Sequence, residues 1–371
     1  MQSWIRLVSR VMKAYRKQKR IFYSKLVKKI KSMRQLSFTN KIIYVFNILI
    51  AFLLFVDFLS PYISVTTISF LPFLALATPI LVILNLIFLG YWILKGKRQF
   101  LVSLTILVIG YFILGTFVQY NNENFAAEED LAILSFNVRQ FNVNENLESK
   151  TVFNDIKNLV ETSGADVVCF QEASNKNKMR PFDYPYKYIS EKPEGQIRTG
   201  LSIFSKYPIL KAETILFKES VNNGCYADIL VDKDTIRVYN LHMQSLGITP
   251  GHGIIRNSDS QKLYKKLTNK FYKQETQAEF IANHSKQVSY RTIITGDFNN
   301  NQYSRTYNLI KGNRVDSFDE KGSGYGRTFN FHHLPVRIDF MLADPGIKVT
   351  SHKNFDEVYS DHFPILATFR L

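Results

Sequence analysis

Acidic residues are nearly missing from the first third of this 371-residue chain. Up to Phe117 there are 16 Lys and Arg against one acid, Asp57. Beyond it, 31 basic residues meet 30 acidic ones, so the net charge of +16 belongs to the N-terminal portion. That distribution removes the simplest argument for nucleic-acid binding, a positive charge spread over the whole protein. Cysteine is scarce too. Cys169 and Cys225 offer no disulfide framework and no metal-ligand spacing. Cys169, inside Asp166-Val167-Val168-Cys169-Phe170, is expected to pack as a small apolar core residue. No cleavable signal peptide is expected, because about forty mostly polar and basic residues precede the first long apolar run. No internal repeat is visible.

What the N-terminal portion does contain points to lipid. Residues 1–41 hold 13 Lys and Arg interleaved with apolar residues such as Trp4, Ile5, Leu7, Ile21 and Phe22. The spacing suits a basic, cytoplasmic amphipathic arm on an anionic membrane face. A nucleic-acid-binding arm is the rival, and the apolar run that follows favours the membrane. Three apolar stretches come next, at about 42–59, 71–94 and 100–118, each near the ~20 residues a spanning helix needs. Pro72 and Pro79 are expected to start or kink the second. No charge cluster within them suggests transport. The arm and the link Lys95-Gly96-Lys97-Arg98 are basic, whereas 60–69 has no Lys or Arg. The positive-inside rule then predicts a multi-pass cell-membrane protein with a cytoplasmic N-terminus and everything after Gln119 outside the cytoplasm.

A polar linker over 119–130 leads to a domain over 131–371 with an α/β pattern. Strands are expected at 131–137, 166–172, 200–205, 226–231, 235–241, 291–296, 337–342, 347–352 and 365–369. Helices are expected at 151–162 and, polar and Lys-rich, at about 260–285. The loop from Gln244 to Asp259, with Gly247, Gly251 and Gly253, is long enough for a substrate loop but reads first as a surface connection, and Arg256 and Gln277 as structural residues.

Polar residues gather at the strand ends. The run Ile293-Ile294-Thr295-Gly296-Asp297-Phe298-Asn299-Asn300 closes a β-branched segment with a carboxylate and a carboxamide two residues apart, which can share a face. Other strands close with Asn137, with Glu172 and with His242, and Asp339, Asp361 and His362 lie beside the last ones. Singly, each has a bland explanation as a turn cap or a structural histidine. Together, at strand ends where α/β folds place sites, they form a set with complementary chemistry. Oxygen donors from Glu172, Asn137 and Asp361 suit a hard cation such as Mg²⁺ or Mn²⁺. Metal-assisted hydrolysis of a phosphodiester or phosphomonoester fits these parts.

The ordered set Ser135-Phe136-Asn137, Gln171-Glu172, Asn240-Leu241-His242, Gly296-Asp297-Phe298-Asn299, Arg337-Ile338-Asp339-Phe340 and Ser360-Asp361-His362 resembles the endonuclease/exonuclease/phosphatase superfamily over about residues 130–371. The resemblance implies an α/β (α+β) four-layer sandwich, two mixed β-sheets flanked by helices, here preceded by three transmembrane helices. It implies Glu172 as principal metal ligand with Asn137 and Asp361 nearby. Asp297 would orient or deprotonate water and Asn299 would hold the phosphate. His362, paired with Asp339, would polarise the phosphate, and His242 would donate to a phosphate oxygen or the leaving group. The run Asn300-Asn301-Gln302 departs from the turn that often follows the family's Asp-x-Asn.

The expected function is that of a membrane-anchored, Mg²⁺- or Mn²⁺-dependent phosphoesterase, nuclease-like in chemistry, with a phosphodiester substrate from nucleic acid or a lipid headgroup. A phosphoinositide-type phosphatase belongs with the second choice, which the near-neutral domain favours, since a nuclease needs a basic track. A non-catalytic membrane scaffold is the alternative of another class, and the intact acid and histidine set argues against it. No obligate protein partner is implied.

Overall fold

The computed structural model describes residues 36–115, 117–121, 129–142, 151–173, 182–190, 200–247, 260–331 and 334–371. The basic arm up to residue 35, the linker residues 122–128 and the loop residues 248–259, Arg256 included, lie outside these. The chain divides into two compact units. The first runs to Phe58 and resumes over Ala77–Gly115; the second comprises Leu59–Leu76 and Thr116–Leu371.

The first unit is helical. Helix α1 spans Phe38–Asp57, α2 spans Leu71–Leu94 and α3 spans Phe100–Leu114. Their sequences are apolar on all sides, as in helices that face no water. The Ser37 side chain caps α1 by accepting the Asn40 N–H. Helix α2 continues through Pro79 and gives way at Gly96, whose φ of +59° lets the Lys97 N–H return to the Trp92 carbonyl at 3.0 Å. Between the helices, the buried Asn47 donates to Ser103 Oγ at 2.7 Å and accepts from Trp92 Nε1 at 3.0 Å. Such a bridge satisfies polar groups buried among apolar side chains.

Helices α1 and α2, with 20 and 24 residues, are long and apolar enough to cross a membrane, and less than a quarter of either apolar window is buried. The third expected span is shorter than the sequence implied. Gly115, at φ +80°, ends α3 after 15 residues instead of letting it run to 118. At 1.5 Å per residue that is about 22 Å, short of a hydrocarbon core of about 30 Å. The described residues therefore hold two helices of spanning length, where three were expected.

The second unit is α/β. Its strands are β1 (Gln119–Tyr120), β2 (Leu131–Asn137), β3 (Val167–Gln171), β4 (Tyr186–Ile189), β5 (Ser202–Ser205), β6 (Ile209–Leu216), β7 (Asn223–Val231), β8 (Asp234–His242), β9 (Arg291–Asp297), β10 (Val315–Asp316), β11 (Ser323–Gly324), β12 (Phe329–Phe331), β13 (Leu334–Val336), β14 (Asp339–Ala343), β15 (Lys348–Asn354) and β16 (Ile365–Arg370). Its helices are α4 (Val152–Thr162), α5 (Ser260–Lys286), α6 (Arg305–Lys311) and α7 (Ser317–Lys321).

Two six-stranded mixed sheets run β15-β16-β2-β3-β5-β4 and β10-β14-β9-β8-β7-β6. Each has one parallel pair at its centre, β2 with β3 and β8 with β9, among antiparallel neighbours. Alternation along the strands sends Ile133, Val167, Cys169 and Ile203 inward against Cys225, Ala227, Val238, Ile293 and Met341. Leu134, Phe136 and Phe170 face outward onto Val152, Ile156 and Leu159 of α4. Tyr239, Ile294 and Phe340 face outward onto Ala278 and Ile281 of α5 and Tyr307 and Ile310 of α6. The order helix, sheet, sheet, helix explains the near-continuous apolar runs of the central strands, which are covered on both faces.

A polar tie joins the sheets. Gln171 Nε2 donates to Asn240 Oδ1 at 2.7 Å and to Ser135 Oγ at 3.1 Å, and Asn240 Nδ2 donates to the carbonyls of Phe170 and Ser202 at 2.9 and 3.0 Å. All of these side chains are buried. Donors engaged at this depth fix one register, because sliding the sheets would strand them.

Candidate active site

The parallel pair of each sheet ends on chemistry-bearing residues. Asn137 sits opposite Gln171 at the ends of β2 and β3, with Glu172 next, and His242 sits opposite Asp297 at the ends of β8 and β9. Strand β14 begins at Asp339, directly across from Asp297. The close approach of β8 and β9 depends on Gly296. Its φ is +129°, and a Cβ there would lie 2.1 Å from the Leu241 carbonyl oxygen. Only glycine allows both.

Asn137 bridges the two sheets. Its Nδ2 lies 3.1 Å from Asp297 Oδ2 and 3.3 Å from Glu172 Oε1, and its Oδ1 accepts the Arg139 N–H at 3.1 Å. Glu172 adopts a left-handed φ of +53°, and its carbonyl accepts the Gln140 N–H at 2.9 Å. The turn Arg139–Asn142 is left-handed at every residue. Such backbone costs a non-glycine residue roughly 1–2 kcal/mol, so packing must hold it. Phe141, buried among the rings of Phe153, Phe170 and Phe182, supplies that packing.

Asn299, also left-handed at φ +52°, clamps Asp297. Its backbone N–H donates to Asp297 Oδ1 at 2.8 Å, and its Nδ2 donates to Asp297 Oδ2 at 3.2 Å and to the Met243 carbonyl at 3.0 Å. Both amide hydrogens are thus engaged, one of them in steadying Asp297. His242 Nε2 lies 3.6 Å from both Glu172 Oε1 and Asp297 Oδ2. His362 Nδ1 lies 2.9 Å from Asp339 Oδ2, and its Nε2 lies 3.6 Å from Asp297 Oδ2. The ring of Phe329 packs 4.8 Å from that of His362.

Burial and charge divide the two histidines. For His242, burial lowers the pKa and outweighs the opposing pull of Glu172. For His362, burial acts downward too, but Asp339 and Asp297 overcome it and hold the pKa at about 10. Burial drives the Asp297 carboxyl above the ordinary carboxylate range; His362 opposes this and Asp339 reinforces it.

The set foreseen from sequence, Asn137, Glu172, His242, Asp297, Asn299, Asp339 and His362, is therefore brought together at one edge. Asp361 joins through a residue that sequence reasoning missed. Arg139 Nη1 lies 2.8 Å from Asp361 Oδ2, and Arg139 is itself tethered to Asn137. Its one signal was position, two residues beyond Asn137. Gln277 does act as support, accepting the Gln244 N–H at 2.8 Å.

Two donor groups bear on a cation. Asp297, Asp339 and His362 offer atoms within 4.8 Å of one another, all buried. His362, however, already commits Nδ1 to Asp339, which suits a proton carrier better than a neutral ligand. Glu172 and Asp361 keep 26 and 30% of their side-chain surface exposed and offer carboxylate oxygens, while the buried Asn137 beside them engages its Oδ1 with the Arg139 N–H. That donor chemistry and accessibility fit a hard divalent cation.

Residues 134–362 match the model described as the Endonuclease/Exonuclease/phosphatase family, and residues 40–117 match a domain of unknown function, DUF8431. Among solved structures, an endonuclease/exonuclease/phosphatase family protein from Bacteroides thetaiotaomicron is similar over 65% of this chain and 97% of its own, at 17% identity and TM-score 0.51. A mannosyl-6-phosphatase of Bacteroides thetaiotaomicron VPI-5482 is similar over 65% and 100%, at 16% identity and TM-score 0.50. A humanized D. rerio TDP2 is similar over 66% and 100%, at 16% identity and TM-score 0.50. At these identities the likeness establishes the fold. No curated protein matches the chain in sequence.

Proposed function

Because the chain belongs to the endonuclease/exonuclease/phosphatase family, we propose that this edge hydrolyses a phosphodiester by in-line attack of water, with a divalent cation, Mg²⁺ or Mn²⁺, held by Glu172, Asn137 and Asp361. The observation that carries the reading is the state of Asp297. It is buried, clamped by Asn299 through both carboxylate oxygens, and flanked at 3.6 Å by His242 and His362.

A carboxylate fixed in this way orients a water and takes its proton as the new P–O bond forms. His362, held by Asp339, presents Nε2 toward the same point, where a cationic donor stabilises charge on the phosphate oxygens. His242 Nε2 lies 3.6 Å from Glu172 and Asp297 and donates to a phosphate oxygen or the leaving group. Lewis-acid polarisation of the phosphate is what the cation supplies when bound. Asn299 holds the phosphate only indirectly in this reading, through Asp297.

The substrate reading has two branches. TDP2 has been solved with a single-strand DNA product and another neighbour is named a mannosyl-6-phosphatase, so nucleic acid and phosphorylated small molecules both bear on it. A lipid headgroup phosphodiester is the second reading. It is supported by the near balance of 31 basic and 30 acidic residues after Phe117 and by two helices of spanning length. An anchor that holds the domain at a bilayer raises the effective concentration of lipid substrate. The charge asymmetry of the links supports a cytoplasmic N-terminus, and an extracytoplasmic catalytic domain further requires the short α3 to cross as well, in a locally thinned bilayer.

The test is a substrate panel on the full chain in detergent or nanodiscs: DNA, RNA, sphingomyelin, phosphoinositides and soluble phosphomonoesters, each with and without Mg²⁺. Mg²⁺-dependent cleavage of a diester is the expected result. Cleavage of none of them would favour a non-catalytic membrane scaffold.

A further inference from the structure

The segment between α1 and α2 belongs to the second unit, together with the catalytic strands. It is bonded there along its length. Ser64 Oγ donates to Glu275 Oε2 at 2.7 Å and the Val65 N–H to Glu275 Oε1 at 2.9 Å. Arg305 Nη1 donates to the Tyr62 carbonyl at 2.6 Å and Asn308 Nδ2 to the Pro61 carbonyl at 3.0 Å. Phe73 stacks on Tyr264 with ring centroids 5.1 Å apart and meets Phe271 edge-on. Val65, Leu71 and Ala75 are buried. A link that merely joined two helices would have no reason to bury a carboxylate, Glu275, against itself.

The same helix grips the turn after Asp297. Gln274, the neighbour of Glu275, is fully buried and donates through Nε2 to the Asn299 carbonyl at 3.0 Å and the Gln244 carbonyl at 2.7 Å. Its Oε1 accepts from Asn300 Nδ2 at 2.8 Å. The turn also reaches the segment directly, because Asn301 Nδ2 donates to the Ala75 carbonyl at 2.7 Å. The run Asn300-Asn301-Gln302, which departs from the family's usual turn, is therefore where the catalytic turn and the segment are joined.

We infer that residues 59–76 clamp the catalytic turn: docked on α5 and bonded to Asn301, they hold Asp297–Asn301 in its working geometry, so that the site is complete only in a chain carrying its apolar helices. Glu275, Gln274 and Asn301 are positioning residues in this scheme, and the inference rests on the hydrolytic reading of Asp297. The clamp acts on a residue used in the transition state, so loosening it lowers kcat and leaves KM in place.

The experiment uses the full chain in nanodiscs with Glu275→Ala, Asn301→Asp and the conservative Glu275→Gln. Asn301→Asp keeps the oxygen that accepts the Tyr303 N–H and removes the donor to Ala75. Glu275→Ala and Asn301→Asp should lower kcat about tenfold or more at unchanged KM, and Glu275→Gln should restore most of it. Hydrogen exchange supplies a readout independent of turnover. The amides of 298–304 should exchange faster in Glu275→Ala, while those of β7 and β8 stay protected. Wild-type exchange at 298–304, or a kcat that falls only with the folded fraction, overturns the clamp. If the wild-type chain hydrolyses nothing, the functional reading fails while the exchange data still decide the clamp.

Discussion

The Nδ1 atom of His362 lies 2.9 Å from Oδ2 of Asp339, and both side chains are buried. The carboxylate favours the charged ring and holds its orientation, so that Nε2 faces Asp297. Asp339→Asn keeps the shape and removes the charge, so kcat should fall roughly 10²-fold or more with little change in KM. Steady-state kinetics on the best panel substrate measure this, and an unchanged kcat would remove His362 from the chemistry.

Glu172 offers an accessible carboxylate beside Asn137 and His242. Glu172→Gln should abolish Mg²⁺-dependent hydrolysis while the circular dichroism and melting temperature stay close to wild type. Calorimetric Mg²⁺ titration should lose its binding signal in parallel. Retained activity would falsify the assignment of Glu172 as metal ligand.

Gly296 tests the fold beneath the site. Alanine there meets the Leu241 carbonyl at 2.1 Å and a φ of +129° that side chains rarely adopt. The loss of stability should be on the order of 4 kcal/mol or more, the range reserved for backbone and core violations. Denaturant unfolding of the two chains compares them; a difference under about 1 kcal/mol contradicts the tight β8–β9 approach.

His352 sets a pH dependence away from the site. It is hydrogen-bonded to Ser317 at 2.8 Å, and burial, only partly opposed by Asp316, lowers its pKa from 6.5 to about 4. Between those values the unfolded chain binds a proton that the folded chain refuses. Its contribution is therefore present above about pH 6.5 and is lost as pH falls toward 4, by up to about 3 kcal/mol. His352→Gln should flatten this part of the stability curve relative to wild type. Parallel curves from pH 7 to 4 would exclude the effect.

Residues 59–76 share a compact unit with the catalytic strands, and the proposed topology puts the 60–69 link and the catalytic domain on the same face. That arrangement requires both α2 and the short α3 to cross between residues 76 and 117, α3 in a locally thinned bilayer. An epitope in the 60–69 link and a C-terminal reporter should both register outside the cytoplasm. Signals from opposite faces, or both from the cytoplasm, contradict this topology.

Much of the site was legible because its residues close strands whose apolar runs are unmistakable. Leu131–Asn137 was bounded correctly, and β8 and β9 to within a residue at the site end. Edge strands were harder. In β6, half of Ile209–Leu216 is exposed and one residue is buried, and β4 has four residues, so neither carries a clear period. The third helix was read too long because apolar residues continue past Gly115, whereas its left-handed backbone breaks the hydrogen-bond ladder there. Arg139 and Glu275 were invisible as partners. Their contacts lie about 220 and 210 positions away in sequence, as Arg139–Asp361 and Glu275–Ser64, and no local pattern encodes such pairings.

The tie of Gln171 to Asn240 between the sheets has a consequence for how catalysis can be switched on during folding. One sheet brings Asn137 and Glu172, and the other brings His242, Asp297 and Asp339. A chain with one sheet formed owns half a set of tools and no workplace. Turnover should therefore appear in a single step with the docking of the two halves, making the enzyme its own indicator of finished assembly.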